Sequence, residues 1–402
     1  MFGRLLAQGL AAIIFPMHAD DKRDVDLTPE EMARFARHLS LPEVGMAGQK
    51  RLKAAAVLCV GSGGLGSPLL LYLAAAGVGR IGIVDFDLVD VSNLQRQVIH
   101  GTSWLGQPKT SSARSRILEI NPHCQVDVYE TALTSDNALE IIRPYDLVCD
   151  GTDNFPSRYL VNDACVILGK PNVYGSIHRF EGQASVFNLN SDSPNYRDLV
   201  PEPPPPGLIP SCAEGGVMGV LPGLIGLIQA TEAIKIIAGI GSPLDGRLLL
   251  VDALSMKFKE LHLRQSQERV EIDHLIDYQD FCGMNRVAND PPLESISVQE
   301  LKKLIQEKAG ELLLLDVRNP YEYEIGSIAG AELIPLNDIE NKEAIERIRE
   351  LMIGRRLFVY CKAGARSQKA LLELKRHGIQ GVNVVGGMDA WTQELNNSSS
   401  RG

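Results

Sequence analysis

The sequence predicts an α/β chain built as a doubly wound mixed sheet followed by a smaller α/β domain. Three observations carry this. Short apolar runs alternate with helical stretches from Leu27 to Cys282. A glycine turn, Gly61-x-Gly63-x-x-Gly66, joins an apolar run to a helical one. A polar stretch broken by two prolines, residues 283–295, reads as a linker before a second strand–helix alternation at 296–395.

In the first domain "AAAVLCV", "RIGIVDFD", "QVDVYE" and "YDLVCDG" read as short buried strands, and "SARSRILEI" as one of the helices between them. After Pro171 helices thin out. "NVYGSIHRF" and "GQASVFNLN" read as successive strands, so the sheet continues with antiparallel members. "PNYRDLVPEPPPPGLIPSCAEGG" follows as a long crossover, stiffened by Pro203–Pro206. A helix over 223–239 and the strands "RLLLVDAL" and "KFKELHL" close the unit. In the second domain "ISVQELKKLI" reads as a helix, "LLLLDVR" as a buried strand, and "RLFVYCKAGARSQKALLELKRHG" as strand, loop and helix. Residues 1–26 read as an N-terminal extension, with Met17 as an alternative start, and 396–402 as a disordered tail.

With 402 residues, 45% hydrophobic and 22% charged, the composition is that of a globular protein. A net charge of −10 argues against a general nucleic-acid or membrane-surface binder. The apolar helix at 223–239 carries Gln229, Thr231, Glu232 and Lys235, so it reads as a buried or interfacial helix rather than a membrane span. The seven cysteines include no CxxC pair, which points to reduced thiols, a cytoplasmic setting and no zinc site.

The glycine turn marks a first site. Its glycines let phosphate approach the backbone, the following helix N-terminus favours negative charge, and Asp85, 19 residues beyond Gly66, ends the next strand where an acid can bind ribose hydroxyls. Alone, the pattern fits a redox dinucleotide equally well. Downstream residues favour a triphosphate: Asn93 and Arg96 in "DVSNLQRQ", Lys109 at a helix start, and Asp150, Asp153 and Asn154 at a strand end, where a carboxylate can hold Mg²⁺. Each has a plainer reading as a solvated cation or a turn residue. Their order along one sheet is what joins them.

"GSGGLGSP…VDFDLVDVSNLQRQ…PK…DGTDN…SCAEGG" resembles the MoeB/ThiF family of adenylyltransferases, relatives of ubiquitin-activating enzymes with a Rossmann-like fold. The resemblance implies ATP- and Mg²⁺-dependent adenylation of the C-terminal Gly-Gly carboxylate of a small ubiquitin-like sulfur carrier. It implies that Gly64 and its neighbours lie under the phosphates, and that Asp85 binds ribose. Ser92, Asn93, Arg96 and Lys109 then hold the triphosphate, and Asp153 holds Mg²⁺ with Asn154 beside it. Arg37 in "RFARHL" reaches the ATP of a homodimeric partner, and Cys212 forms a covalent link with the activated tail. Many members also bind a structural zinc through two CxxC pairs. Here Asn195 and Asp198 stand at the first pair and the second is missing, so no zinc is expected.

"LLLLDVRNPYEYEIGSIAGA" and "VYCKAGARS" resemble the rhodanese sulfurtransferases. Cys361 ends an apolar strand, and turn amides, a helix N-terminus, Lys362 and Arg366 surround it, an arrangement that favours a thiolate or persulfide. Asp316 and Arg318 read as residues that fix the fold, and "GGMDAW" as a packing motif. Together the two domains suggest one sequence of steps: carrier adenylation, attack by a Cys361 persulfide, and release of a carrier thiocarboxylate. The carrier (molybdopterin, thiamine or cysteine pathway) and the sulfur donor (a cysteine desulfurase or thiosulfate) stay open. Rival readings are an NAD-dependent dehydrogenase, an ATP-dependent dehydratase acting on modified tRNA, and a non-catalytic carrier scaffold.

Overall fold

A computed structural model describes residues 25–204, 216–283 and 293–399. Most of the expected extension, the crossover segment with Cys212, and residues 284–292 lie outside the described residues. The chain divides into two compact units, with the division between Met284 and Asn285.

The first unit runs α1 (Pro29–Arg34), α2 (Ala36–Leu39), α3 (Gly45–Ala54), β1 (Ala56–Val60), α4 (Gly66–Ala76), β2 (Arg80–Val84), α5 (Lys109–Ile120), β3 (Gln125–Tyr129), α6 (Ala138–Ile142), β4 (Leu147–Asp150), α7 (Phe155–Leu168), β5 (Asn172–His178), β6 (Glu181–Phe187), α8 (Tyr196–Leu199), α9 (Val220–Ala238), β7 (Arg247–Asp252), β8 (Lys257–His262) and α10 (Tyr278–Phe281). The eight strands form one sheet in the order β3-β2-β1-β4-β5-β6-β7-β8. The first five in that order are parallel and the last three pair antiparallel. The mixed sheet is therefore doubly wound up to β5, then folds back as hairpins.

Local chemistry sets the element ends. Thr28 and Glu31 form a reciprocal capping box at α1, with Pro29 in the first turn. Asn154 caps α7 by accepting from the Ser157 amide, and Gly169 closes that helix in the left-handed region. β1 is buried throughout (Ala56, Val57, Leu58, Cys59, Val60) because helices cover both faces. β3 departs from the expected buried strand. It lies at the sheet edge, where Gln125 and Val128 are exposed. The apolar α9 begins three residues earlier than expected and packs on α4, β5 and β6. Its Gln229 enters the sheet and donates to the carbonyls of Asp150 (2.7 Å) and Val173 (3.0 Å).

The domain edges differ from the sequence reading in three places. Asp26, expected in the extension, is tied to α3 by Lys50 at 2.5 Å and, through its carbonyl, by Lys53 at 2.8 Å. Ser295, expected in the linker, already belongs to a strand. The expected disordered tail continues a helix to Ser399, since the packed first turns of that helix carry the weaker formers with them.

The second unit contains β9 (Ser295–Ile296), α11 (Val298–Lys308), β10 (Leu312–Asp316), α12 (Pro320–Ile325), β11 (Glu332–Leu333), α13 (Lys342–Leu351), β12 (Arg356–Tyr360), α14 (Ala365–Arg376), β13 (Val382–Val384) and α15 (Gly387–Ser399). Its five strands are all parallel, in the order β11-β10-β12-β13-β9. β12 is central, with Leu357, Phe358, Val359 and Tyr360 buried.

Candidate active sites

The strand order reverses between β1 and β4, which pair Val60 opposite Asp150. Ligands of doubly wound sheets bind beyond the strand ends at such a point. The glycine turn leaves β1 here. Gly61 has φ +93°, and a Cβ on Gly66 would stand 2.1 Å from the Gly61 carbonyl oxygen. Only glycine fits at these two positions, and the turn leaves the first amides of α4 at the crevice. Gly63 lies beside Gln97, and a Cβ on Gly64 would lie 3.0 Å from Pro222 Cβ and 3.7 Å from Arg96 Cγ, so Pro222 and Arg96 both flank the turn.

Asp85 follows β2. Its Oδ2 accepts from the Ser62 amide and hydroxyl, both at 2.9 Å, and its Oδ1 from the Asp87 amide at 3.0 Å. Asp85 thus ties the two strand ends together, and its oxygens retain lone pairs for a ribose hydroxyl. Ser92 and Asn93 lie in a short 3₁₀ turn. Both bond to Asp90, Asn93 Oδ1 accepting from its amide at 3.1 Å. Arg96 Nη1 reaches back to the Ser92 carbonyl at 3.0 Å. Lys109 opens α5 and is buried; its Nζ lies 2.7 Å from Asp87 Oδ2.

Asp153 follows β4 and is exposed, with no hydrogen bond or ion pair among the described residues. One exposed carboxylate beside a phosphate cradle suits Mg²⁺, which binds through few protein ligands and keeps phosphate and water. Asn154 serves as the α7 cap. Asp150 is buried, and burial pushes its carboxyl up, against hydrogen bonds from Thr152 and the charge of Arg158. Arg37 is exposed on α2 and likewise pairs with nothing among the described residues. Among those residues, no group of three or more metal-ligating side chains gathers.

Three residues here escaped the sequence reading. His100 bridges the Ser62 carbonyl (3.1 Å) and Ser112 Oγ (3.0 Å), joining the glycine turn to α5. Burial, aided by Lys109, pushes its pKa down to about 4, so the ring is neutral near pH 7. Gln97 is buried beside Gly63, with its Oε1 unpartnered among the described residues. Asp87 is the partner that holds Lys109. Their links span long stretches of sequence and leave no local pattern.

The second site closes β12. Cys361 follows the strand and is buried, and its Sγ accepts from the Gly364 amide at 3.0 Å. Gly364, at φ +115°, opens α14. Lys362 is exposed. Arg366 binds Glu322 with two contacts, at 2.6 and 2.8 Å, which holds α14 to α12. Burial works to raise the Glu322 carboxyl, but Arg366, the Asn319 amide and the charge of Arg318 together hold it below the usual range. Asp316 and Arg318 form a buried pair with contacts of 2.6 to 3.0 Å, and Arg318 also donates to the Gly326 carbonyl at 2.7 Å. The "GGMDAW" segment does more than pack. The amides of Met388 and Asp389 donate to the carbonyls of Cys361 (2.8 Å) and Lys362 (3.0 Å), so α15 fixes the loop that carries the thiol.

These features define a two-unit α/β enzyme: a doubly wound domain with a glycine turn where its strand order reverses, and a parallel-sheet domain with a thiol buried against a backbone amide. The ThiF family model matches residues 35–272, and the rhodanese-like domain model matches 297–394. The chain belongs to the ThiF family and carries a C-terminal rhodanese-like domain; it is an adenylyltransferase and sulfurtransferase. A probable adenylyltransferase/sulfurtransferase MoeZ of Mycobacterium tuberculosis is 50% identical over 92% of this chain and 95% of its own. The adenylyltransferase and sulfurtransferase MOCS3 of Bos taurus is 43% identical over 92% of this chain and 87% of its own. A sulfur carrier protein adenylyltransferase of Thermus thermophilus is 52% identical over 64% of this chain and 98% of its own. Among solved structures, Escherichia coli MccB with ATP shares the fold, at TM-score 0.53 and 19% identity over 60% of this chain and 73% of that one.

Proposed function

We propose that the chain adenylates the C-terminal glycine carboxylate of a ubiquitin-like sulfur carrier with ATP, then transfers sulfur from a Cys361 persulfide to give the carrier thiocarboxylate. The observation that carries this reading is the pairing, in one chain, of a glycine turn at the sheet's reversal point, with Arg96 beside it, and a buried thiol held by an amide. The relatives named for adenylyl and sulfur transfer, and for a sulfur carrier, support it.

In this reading the turn at Gly61–Gly66 receives the phosphates, Asp85 the ribose, and Ser92, Asn93, Arg96 and Lys109 the triphosphate. A carboxylate attacking an α-phosphate meets anionic repulsion, and fixed cations offset it without reorganising. Asp153 would hold Mg²⁺, with Asn154 at its side; the ion supplies charge neutralisation for the departing pyrophosphate. Arg37, exposed and unpaired among the described residues, would complete the site of a second copy in a homodimer. The Cys212 thiolate would attack the Cys361 sulfur of the acyl disulfide left after sulfur transfer, releasing the carrier thiocarboxylate and leaving a disulfide that an external thiol reduces. The fold works without zinc, and the chain acts in the cytoplasm with a cysteine desulfurase or thiosulfate as donor.

The test is mass spectrometry of candidate carriers incubated with the protein, ATP, Mg²⁺ and a sulfur source. Exchange of one oxygen for sulfur at the carrier C-terminus is expected, and its absence with every carrier would overturn the proposal. Asp153→Ala should end carrier-dependent pyrophosphate–ATP exchange. Cys212→Ala with full thiocarboxylate yield would remove that residue's role.

A further inference from the structure

Behind Cys361 sits a hydroxyl with more acceptors than protons. Ser367 lies in the first turns of α14 and is fully buried. Its Oγ is 2.7 Å from Asn383 Oδ1, 2.9 Å from the Gly364 carbonyl oxygen and 3.6 Å from Cys361 Sγ. A hydroxyl has one proton and serves one of these acceptors at a time. Asn383, buried in β13, offers the closest one. The Gly364 amide already donates to the same sulfur at 3.0 Å.

We propose that Ser367 is a further catalytic residue of sulfur transfer: its hydroxyl turns from Asn383 to Cys361 Sγ whenever that sulfur carries negative charge. The inference rests on Cys361 being the persulfide carrier. Charge resides on Sγ at two stages. In loading from thiosulfate, the Cys361 thiolate attacks the outer sulfur. A bond forms from Sγ to that sulfur, the S–S bond of thiosulfate breaks, and sulfite leaves with the electron pair. In unloading to cyanide, the cyanide carbon takes the terminal sulfur as thiocyanate. The Sγ–S bond breaks, its electron pair returns to Sγ, and no proton moves in either step.

Gly364 is a fixed donor to this charge and Ser367 a movable one. Asn383 positions Ser367, giving the hydroxyl an acceptor while the sulfur is bonded and less charged. The other charged groups near the sulfur are spoken for or lie outside: Arg366 is paired with Glu322, and Lys362 is exposed. Ser367 therefore answers the sulfur from the buried side, where water does not.

The experiment uses the full chain with thiosulfate and cyanide, alongside iodoacetamide alkylation of the Cys361 peptide across pH. Ser367→Ala is expected to lower kcat on the order of tenfold, the loss of one hydrogen bond to a charged group. It should also move half-maximal alkylation to higher pH, while Ser367→Thr keeps the hydroxyl and restores both. A Ser367→Ala protein with the parent kcat and alkylation profile, altered only in melting temperature, overturns the proposal. If Ser367→Ala fails to fold, Asn383→Ala removes the nearer of the two competing acceptors, leaving the Gly364 carbonyl, and alkylation should move to lower pH; an unchanged profile again overturns it. Cys361→Ala separates the two readings: retained sulfur transfer there defeats the role of Cys361 itself.

Discussion

Lys109 is held by Asp87 twice, its Nζ 2.7 Å from Oδ2 and its amide 3.0 Å from the Asp87 carbonyl oxygen. The side chain is almost fully buried while the aspartate is half exposed. The ion pair fixes the ammonium at the start of α5, and under the proposed function an entering phosphate takes over from the carboxylate. Lys109→Ala should lower carrier-dependent pyrophosphate exchange on the order of 10²–10³-fold, the scale of losing one fixed donor to developing charge. Exchange at the parent rate in a folded variant would defeat the assignment.

Gly387 makes a second prediction, confined to the other unit. A Cβ there would stand 2.2 Å from the Cys361 carbonyl oxygen and 2.7 Å from that of Lys362, at a φ of +52°. Gly387→Ala must push α15 off the thiol loop or accept a strained backbone, at a cost of about 1–3 kcal/mol. Sulfur transfer from thiosulfate to cyanide should fall, while pyrophosphate exchange, which belongs to the first unit, stays at the parent level. Both activities are measured on the same preparation, so a shared loss would point to general unfolding instead.

The sequence disclosed those parts of the sites that follow from backbone needs. Gly61 and Gly66 sit where no ordinary φ or no side chain is tolerated, so their spacing located the first turn, while Cys361 between an apolar strand and a helix located the second. Partnerships across the fold left no such trace. Asp87 and Lys109 are separated by the 3₁₀ turns between β2 and α5, and Ser367 meets Asn383 only because β13 lies beside β12. Strand β3 shows the same limit. "QVDVY" reads as a strand, but its place at the edge depends on which strands pair, and that is a property of the whole sheet. Cys212 lies outside the described residues, so its role still rests on resemblance.

His100 sets a pH dependence. Its pKa is pushed down from 6.5 to about 4, by burial first and then by Lys109. The unfolded chain therefore takes up a proton that the folded one refuses. The contribution to stability is complete above pH 6.5 and is lost as the pH falls toward 4. Melting of the first unit should accordingly drop between pH 6.5 and 4. His100→Gln keeps a polar side chain without a titrating ring and should flatten part of that slope. An equal slope in the variant would show that other groups carry it.

Asp198 supplies the last prediction. It stands where many family members place a cysteine of the zinc site, and here it binds the chain directly. Its Oδ2 accepts from the Asn195 amide at 2.8 Å in the capping box of α8, and its Oδ1 accepts from the Ser266 amide at 2.9 Å. Arg269 lies 3.5 Å away, and the carboxylate is buried. One side chain thus joins α8 to the segment after β8, the two stretches a metal would have cross-linked. Next to it, Arg197 pairs with buried Asp163 at 2.7 Å and stacks over Phe281, so α8 is fixed from a second side. Metal analysis should find no stoichiometric zinc, and a chelator should leave the melting temperature unchanged. Asp198→Ala leaves two amides without their acceptor and should cost about 1–3 kcal/mol of stability. Asp198→Asn, which keeps an acceptor oxygen, should cost less. A chelator that lowers the melting temperature of the parent protein would show that a metal, not this carboxylate, holds the two segments together.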